Sequence, residues 1–328
     1  MIEIKTPARL HLGLLDTNGN LGRLYGSIGV AIKSPNVILM AEPAGSLEVE
    51  GSESERVLDF ARKFLNRYPG LPGAHLVLKS NIPSHIGLGS GTQLALAVGK
   101  ALNILGSLNL SLQQIALTMG RGLHSGIGIN TFRDGGFVLD GGHRVEHVAS
   151  GPAPFASDHN SIPPVLFRHP VPENWFFVIA VPETQAGLSG ENEVAAFRKL
   201  PEMPPSHVEK VSRLLLMKML PALVEKDIIP FGQALTEVQR LVGESFAGIQ
   251  GGKFANPMSE QLINFLLERG AAGAGQSSWG PTVYGVIKGE EAACNLSNEV
   301  EQYLSHLGRG KSFYVQPDNQ GAKIQKHP

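Results

Sequence analysis

The chain has 328 residues, one cysteine and a formal net charge of −1. That length suffices for two packed domains, and a near-neutral charge excludes electrostatic attraction to nucleic acid or to an anionic membrane surface. The lone Cys294 excludes an intrachain disulfide and a cysteine-built metal site. With no signal-peptide apolar core and no apolar run near the ~18 residues that span a membrane, a soluble cytoplasmic protein is expected.

In chain order, residues 2–13 and 24–40 read as strands, the second rich in Val and Ile, and a short strand at 46–50 precedes a helix near 53–67. His75-Leu76-Val77-Leu78-Lys79 is a further strand feeding a glycine-rich loop, with helices near 91–105 and 111–120 beyond it and a strand at 136–140. Residues 150–173 hold six prolines and read as a surface connector or lid. The unbroken apolar run Trp175 to Val181 is a buried strand opening a second domain. Helices near 206–225, 230–247 and 258–269, strands flanking Gly280-Pro281, a helix near 289–307 and a strand at 311–316 complete it. Residues 318–328 read as a frayed tail. Residues 1–150, 151–173 and 174–328 are thus expected as first domain, connector and second domain.

The loop Ile82-Pro83-Ser84-His85-Ile86-Gly87-Leu88-Gly89-Ser90-Gly91-Thr92-Gln93 runs straight into a helix whose apolar positions recur as Leu94, Val98, Ala101 and Leu105. Glycines permit tight turns and close approach of the backbone to a ligand. The free amides and positive dipole end of a helix favour a phosphate there. No Gly-Lys-Ser/Thr closes the loop, so it is not a Walker motif, and its spacing is not that of a dinucleotide fingerprint. Gly87, Leu88, Gly89, Ser90, Gly91 and Thr92 are therefore the expected phosphate cradle.

Pro83 with Gly87-Leu88-Gly89-Ser90-Gly91 resembles the second motif of the GHMP small-molecule kinase superfamily, and two other segments sit where that superfamily places its first and third motifs. They are Thr6-Pro7-Ala8-Arg9-Leu10-His11-Leu12-Gly13 and Gly273-Ala274-Gly275-Gln276-Ser277-Ser278-Trp279-Gly280-Pro281-Thr282-Val283-Tyr284. The stretches Gly26 to Ile32, Ser125-Gly126-Ile127-Gly128-Ile129-Asn130-Thr131-Phe132 and Gly135 to Gly142 are similar to one branch, the β-ribofuranosylaminobenzene 5′-phosphate synthases. The resemblance implies an α+β fold of two domains. The first would carry a left-handed βαβ unit, against the usual right-handed rule, and the second would be ferredoxin-like with added helices. It also implies phosphoribosyl pyrophosphate and an aromatic acid, 4-aminobenzoate or 4-hydroxybenzoate, as substrates, with pyrophosphate and CO2 released on the way to tetrahydromethanopterin, and Mg²⁺ as cofactor. Several kinases of the superfamily carry an Asp where this chain has Gly128, and a kinase that deprotonates an alcohol is helped by such a carboxylate. An ATP-dependent small-molecule kinase is the alternative, and a catalytically silent phosphate-ligand binder a third class.

Arg9 and His11 lie two apart on a strand, on one face, where a guanidinium and an imidazole suit an anion. With Asp134 they are the catalytic candidates; their bland alternative is a surface arginine and a core histidine. Arg23, Ser125, Asn130, Gln276, Ser277, Ser278 and Trp279 are the substrate-binding candidates, Trp279 by stacking on the benzoate ring or else as ordinary packing. Arg121, His85 and His124 are weaker candidates. Ser90, Asp140 and Glu191 are the Mg²⁺ candidates, acting largely through water. Asp140-Gly141-Gly142 reads equally as a hairpin turn, and Ser189 reads as a helix cap with Asn192 or Glu193 nearby, the alternative being that Glu191 or Glu193 faces the cleft between the domains. The sequence leaves room for a homodimer.

Overall fold

The computed structural model describes residues 1–145, 161–183, 196, 201–250, 252–254 and 256–327. Two sheets organise them. The first has eight strands: β1 (Ile2–Asp16), β2 (Arg23–Ala44), β3 (Glu48–Gly51), β4 (Gly73–Ser80), β5 (Phe137–Asp140), β6 (His143–Arg144), β7 (Val165–His169) and β12 (Lys323–Lys326). The long β2 is its spine, pairing antiparallel with β1 along one edge and with β4, β5 and β6 along the other. β3 and β4 run parallel, with Glu48 opposite His75, and α1 (Ser54–Arg67) crosses between them, the βαβ unit expected from the family resemblance.

The second sheet has β8 (Trp175–Pro182), β9 (Gly273–Gln276), β10 (Val283–Lys288) and β11 (Gly310–Val315) in the order β11-β8-β10-β9, antiparallel throughout. With one helix, α9 (Glu290–Leu307), between its third and fourth strands and several between its first and second, this is a ferredoxin-like sheet with added helices. The continuous apolar run of β8 follows from burial on both faces. Trp175, Phe177 and Ile179 point into the main core with Phe231, Ala234, Leu235 and Val238 of α7 (Ile228–Gln250). The alternate residues Phe176, Val178 and Ala180 pack on α8 (Pro257–Glu268) and α9.

Four elements differ from the sequence reading. Ile127–Asp134 is a helix, α4, where glycines at 126 and 128 hide the helical pattern. It lies directly on β2, because a Cβ at Gly29 would stand 2.3 Å from Ile127 Cγ2. The described end of the expected connector forms β7, an outer strand on β5. The tail expected to fray forms β12, pairing Ile2 with Lys326 and Lys5 with Lys323. The single helix expected near 206–225 is α5 (Pro205–Leu214), one π turn (Leu215–Met219) and α6 (Leu220–Glu225). No described helix is long and apolar enough to cross a membrane.

Candidate active site

α2 (Ser90–Leu105) begins after Gly89, whose φ of +83° is left-handed, and no side chain caps its first amides. The first amides of a helix have no partner within it, so those of Ser90 and Gly91 are available to a ligand. α3 (Leu112–Thr118) and α4 hold the buried body of α2 in place. A Cβ at Gly99 would meet Ile115 Cγ2 at 2.6 Å, and one at Gly128 would meet Thr92 Cγ2 at 2.9 Å. The Gln93 side-chain amide donates to the Gly128 carbonyl at 2.8 Å.

The three motifs meet at one atom, the carbonyl oxygen of Gly87. Arg9 donates to it from its guanidinium, and Ser277 from its hydroxyl at 2.7 Å. The same Ser277 Oγ accepts from the His11 backbone amide at 3.0 Å, and the Arg9 amide donates to the Leu88 carbonyl at 3.1 Å. The packing tolerates no side chain at the glycines: a Cβ would lie 2.4 Å from Ser277 O at Gly87 and 2.8 Å from Arg9 Cγ at Gly89. Gln239 of α7, which the sequence reading passed over, ties the first and third motifs. It donates to Leu12 O at 2.6 Å and accepts from the Gln276 amide at 2.9 Å. Two non-glycine residues with left-handed backbone flank this junction: His85 at φ +61° and Ser278 at +57°. Each costs roughly 1–2 kcal/mol, a concentration of strain of the kind found at functional sites.

The expected residues divide. Arg9, His11, Gly87, Leu88, Gly89, Ser90, Gly91, Thr92, Gln276, Ser277 and Ser278 belong to the junction and its cradle. Within it Leu88 is a core residue anchoring the loop, and Gln276 donates to Ser278 O at 3.0 Å. Burial first, then the Arg9 charge, push the His11 imidazole down to about 3, so the ring is a neutral neighbour of the cradle rather than a second cation.

Others are placed differently from the expectation. Asp134 sits at the C-terminal end of α4, paired with Arg133 at 2.6 Å. At 1.5 Å per residue that is roughly 12 Å from the end of α4 near Ser125, too far to serve there as a base. Asp140 is fully buried and its oxygens are taken. Oδ1 accepts from the amides of Ser27 and Gly142, and Oδ2 from Ser27 Oγ and the Gly126 amide. It is a structural anchor for the entry to α4 rather than a Mg²⁺ ligand, and burial raises it to about 6 against those bonds. Ser125 Oγ contacts Ser27 Oγ at 2.7 Å and accepts from the Ile127 amide, and Asn130 donates back to Gly126 O at 2.9 Å; both belong to this anchor. The Arg23 guanidinium donates to the carbonyls of Gly141 and Gly142, clamping the β5–β6 turn. Trp279 is 7% exposed in a cluster with Leu14, Leu24, Tyr25 and Phe246, its ring 5.3 Å from that of Phe246, so packing accounts for it. Glu191, Glu193 and Ser189 lie outside the described residues. Among the described residues no group of three or more His, Cys, Asp or Glu is placed to hold a metal.

Two cations were missed. Arg56 lies beside the cradle and Lys63 beside Gly120, and Arg56, Phe60 and Lys63 fall at i, i+4 and i+7 of α1, one face of the helix. That spacing was the available signal.

A two-domain α+β fold with three glycine-rich segments joined around a helix N-terminus defines a small-molecule kinase-like architecture. Residues 55–132 match the family described as GHMP kinases N terminal domain, and residues 219–306 match GHMP kinases C terminal. Among solved structures, a homoserine kinase from Cytophaga hutchinsonii superposes with a TM-score of 0.67 at 16% identity, covering 99% of this chain and 97% of that one. A Lactococcus lactis galactokinase complexed with galactose gives 0.69 at 14% identity, covering 98% and 95%. A protein named beta-ribofuranosylphenol 5′-phosphate synthase from Methanothermobacter thermautotrophicus is 35% identical over 98% of both chains. One of the same name from Archaeoglobus fulgidus is 35% identical over 99% of this chain and 100% of its own. The chain belongs to this synthase family within the GHMP kinase superfamily.

Proposed function

We propose that this chain condenses phosphoribosyl pyrophosphate with 4-hydroxybenzoate or 4-aminobenzoate, releasing pyrophosphate and CO2, in the pathway to tetrahydromethanopterin. The observation that carries the reading is the packing at Gly128. A Cβ there would press on Thr92 Cγ2 at 2.9 Å, so the position where several kinases of the superfamily carry an Asp is packed for glycine. The proposed reaction needs no such base. The C1–O bond to pyrophosphate breaks, the ring carbon bearing the carboxylate bonds to C1, and the electron pair of the departing C–CO2⁻ bond restores the aromatic ring. No proton leaves the acceptor in that exchange.

What the protein supplies is position and charge stabilisation. The amides of Ser90 and Gly91 face the leaving diphosphate, and Arg9 and Ser277 hold the loop carbonyl that fixes those amides. Mg²⁺ enters this reading as the diphosphate's counter-ion, carried in with the donor. The test incubates the protein with Mg²⁺, phosphoribosyl pyrophosphate and carboxyl-labelled 4-hydroxybenzoate or 4-aminobenzoate. Equal release of labelled CO2 and pyrophosphate is expected, and the acid that gives it identifies the acceptor. No release with either acid, together with ADP formation from ATP and a small alcohol, overturns the reading in favour of a kinase.

A further inference from the structure

Arg56 and Lys63 of α1 meet Arg121, which follows α3; Arg56 and Arg121 lie beside the first turn of α2 and Lys63 beside Gly120. Arg56 and Arg121 both pack on Phe60, with guanidinium carbons 5.9 and 5.1 Å from its ring centroid. Both reach the helix backbone: a Cβ at Gly91 would lie 3.0 Å from Arg56 Nη2 and 3.4 Å from Arg121 Nη1. Lys63 Nζ stands 2.8 Å from where Gly120, next to Arg121, would carry a Cβ. Burial, then the Arg121 charge, hold the Lys63 ammonium below the usual lysine range. The carboxylate paired into the group is Glu53, which accepts from Arg56 at 2.9 Å and from Ser84 at 2.7 Å.

This placement is electrostatically unfavourable on its own. Cations stabilise the C-terminal end of a helix and oppose the N-terminal end, where the dipole is already positive. The three cations repel each other as well. The arrangement becomes favourable when a polyanion lies among them, because guanidinium–phosphate hydrogen bonds are charge-assisted and forked. Phe60 packs against both guanidinium groups, and glycine at 91 and 120 lets the three cations come close to the backbone.

We propose that Arg56, Lys63 and Arg121 form a second phosphoryl subsite beside the cradle, taking the distal phosphoryl of a diphosphate whose other phosphoryl rests on the α2 amides. This rests on the reading of the loop as a phosphate cradle, and it assigns the diphosphate a direction: from the α2 amides toward α1.

The experiment titrates the protein with inorganic pyrophosphate and, separately, orthophosphate at fixed ionic strength, for the wild type and for Arg56→Gln, Arg121→Gln and Arg121→Lys. Thermal melts establish that each variant is folded. The wild type is expected to bind pyrophosphate ~10-fold or more tighter than orthophosphate, about 1.4 kcal/mol. Each glutamine variant should lose most of that preference while orthophosphate affinity changes little, and Arg121→Lys should keep part of it. Equal weakening of both anions, or no weakening, overturns the proposal. Loss of pyrophosphate preference in a protein that releases no pyrophosphate from phosphoribosyl pyrophosphate keeps the subsite and removes the synthase. Turnover with pyrophosphate affinity unchanged in both glutamine variants does the reverse.

Discussion

The hydroxyl of Ser277 and the carbonyl of Gly87, 190 positions apart in sequence, are joined by a 2.7 Å hydrogen bond, and through it the second sheet fixes the backbone of the phosphate loop. Ser277 is fully buried and also accepts from the His11 amide. Ser277→Ala leaves that amide without its partner and Gly87 O with Arg9 alone. The expected cost is about 1–3 kcal/mol, seen as a lower Tm, with a raised KM for phosphoribosyl pyrophosphate because the loop amides lose their reference. A lowered Tm with KM unchanged would separate stability from the cradle.

Gly89→Ala tests the close approach of Arg9. The substitution places a methyl 2.8 Å from Arg9 Cγ at a φ of +83°, so backbone strain of roughly 1–2 kcal/mol adds to displacement of the side chain. Pyrophosphate affinity should fall ~10-fold or more. Gly45→Ala, where a Cβ meets nothing within 4 Å, is the control and should leave both Tm and affinity unchanged. Equal behaviour of the two variants would refute the role given to the Arg9 contact.

Gly128→Asp restores the residue type found in several related kinases. It should destabilise by about 1–3 kcal/mol through overpacking against Thr92 and should yield no ATP-dependent phosphorylation. Thr92→Ala in the same chain should return part of the lost stability, a coupling that denaturant titration of the double-mutant cycle would measure.

His11 makes stability depend on acid. The unfolded chain takes up this proton near 6.5 and the folded chain near 3, so between those values the unfolded state binds more protons and stability falls as pH falls. Asp140 acts oppositely. Its folded value of about 6 exceeds the ordinary 3.8, so its contribution to stability falls as pH rises through that window. His11→Gln should therefore lose less stability than wild type between pH 7 and pH 4.5. The difference is about 1–2 kcal/mol. Urea midpoints at the two pH values measure it, and identical losses would contradict a neutral His11.

Asp140→Asn replaces an acceptor of four hydrogen bonds by a group with an NH2 facing N–H donors. A loss of about 2–4 kcal/mol is expected, centred on the entry to α4, with the Mg²⁺ concentration for half-maximal activity unmoved. A shifted Mg²⁺ midpoint in a variant of wild-type Tm would return Asp140 to the metal.

The glycine loop and α2 were readable because their signal is local: turn residues, then an amphipathic repeat. β8 was readable for a related reason, since burial on both faces leaves no polar alternation. α4 was not, because the glycine that lets it approach Thr92 also erases its pattern. The locations of Asp140 and Trp279 depend on what lies across the fold, Ser27 and Gly126 for one and Phe246 for the other, and neither spacing nor composition encodes those partners. Arg56 and Lys63 look like any charged face of a surface helix until Arg121, more than fifty positions later, is folded against them.

The antiparallel pairing of β12 with β1 has a consequence for the order in which the molecule can be completed. During vectorial synthesis β1 and β2 can pair as soon as both have emerged, but the outer edge of β1 stays open until residues 323–326 have left the ribosome. In that interval Ile2 to Lys5 present unpaired backbone groups, the kind of edge that recruits stray strands. The pairing spans nearly the whole contour of the chain, the slowest class of contact to form. The edge of the first sheet is completed only when β12 arrives, so while the second domain is being made the nascent chain carries an open, association-prone strand.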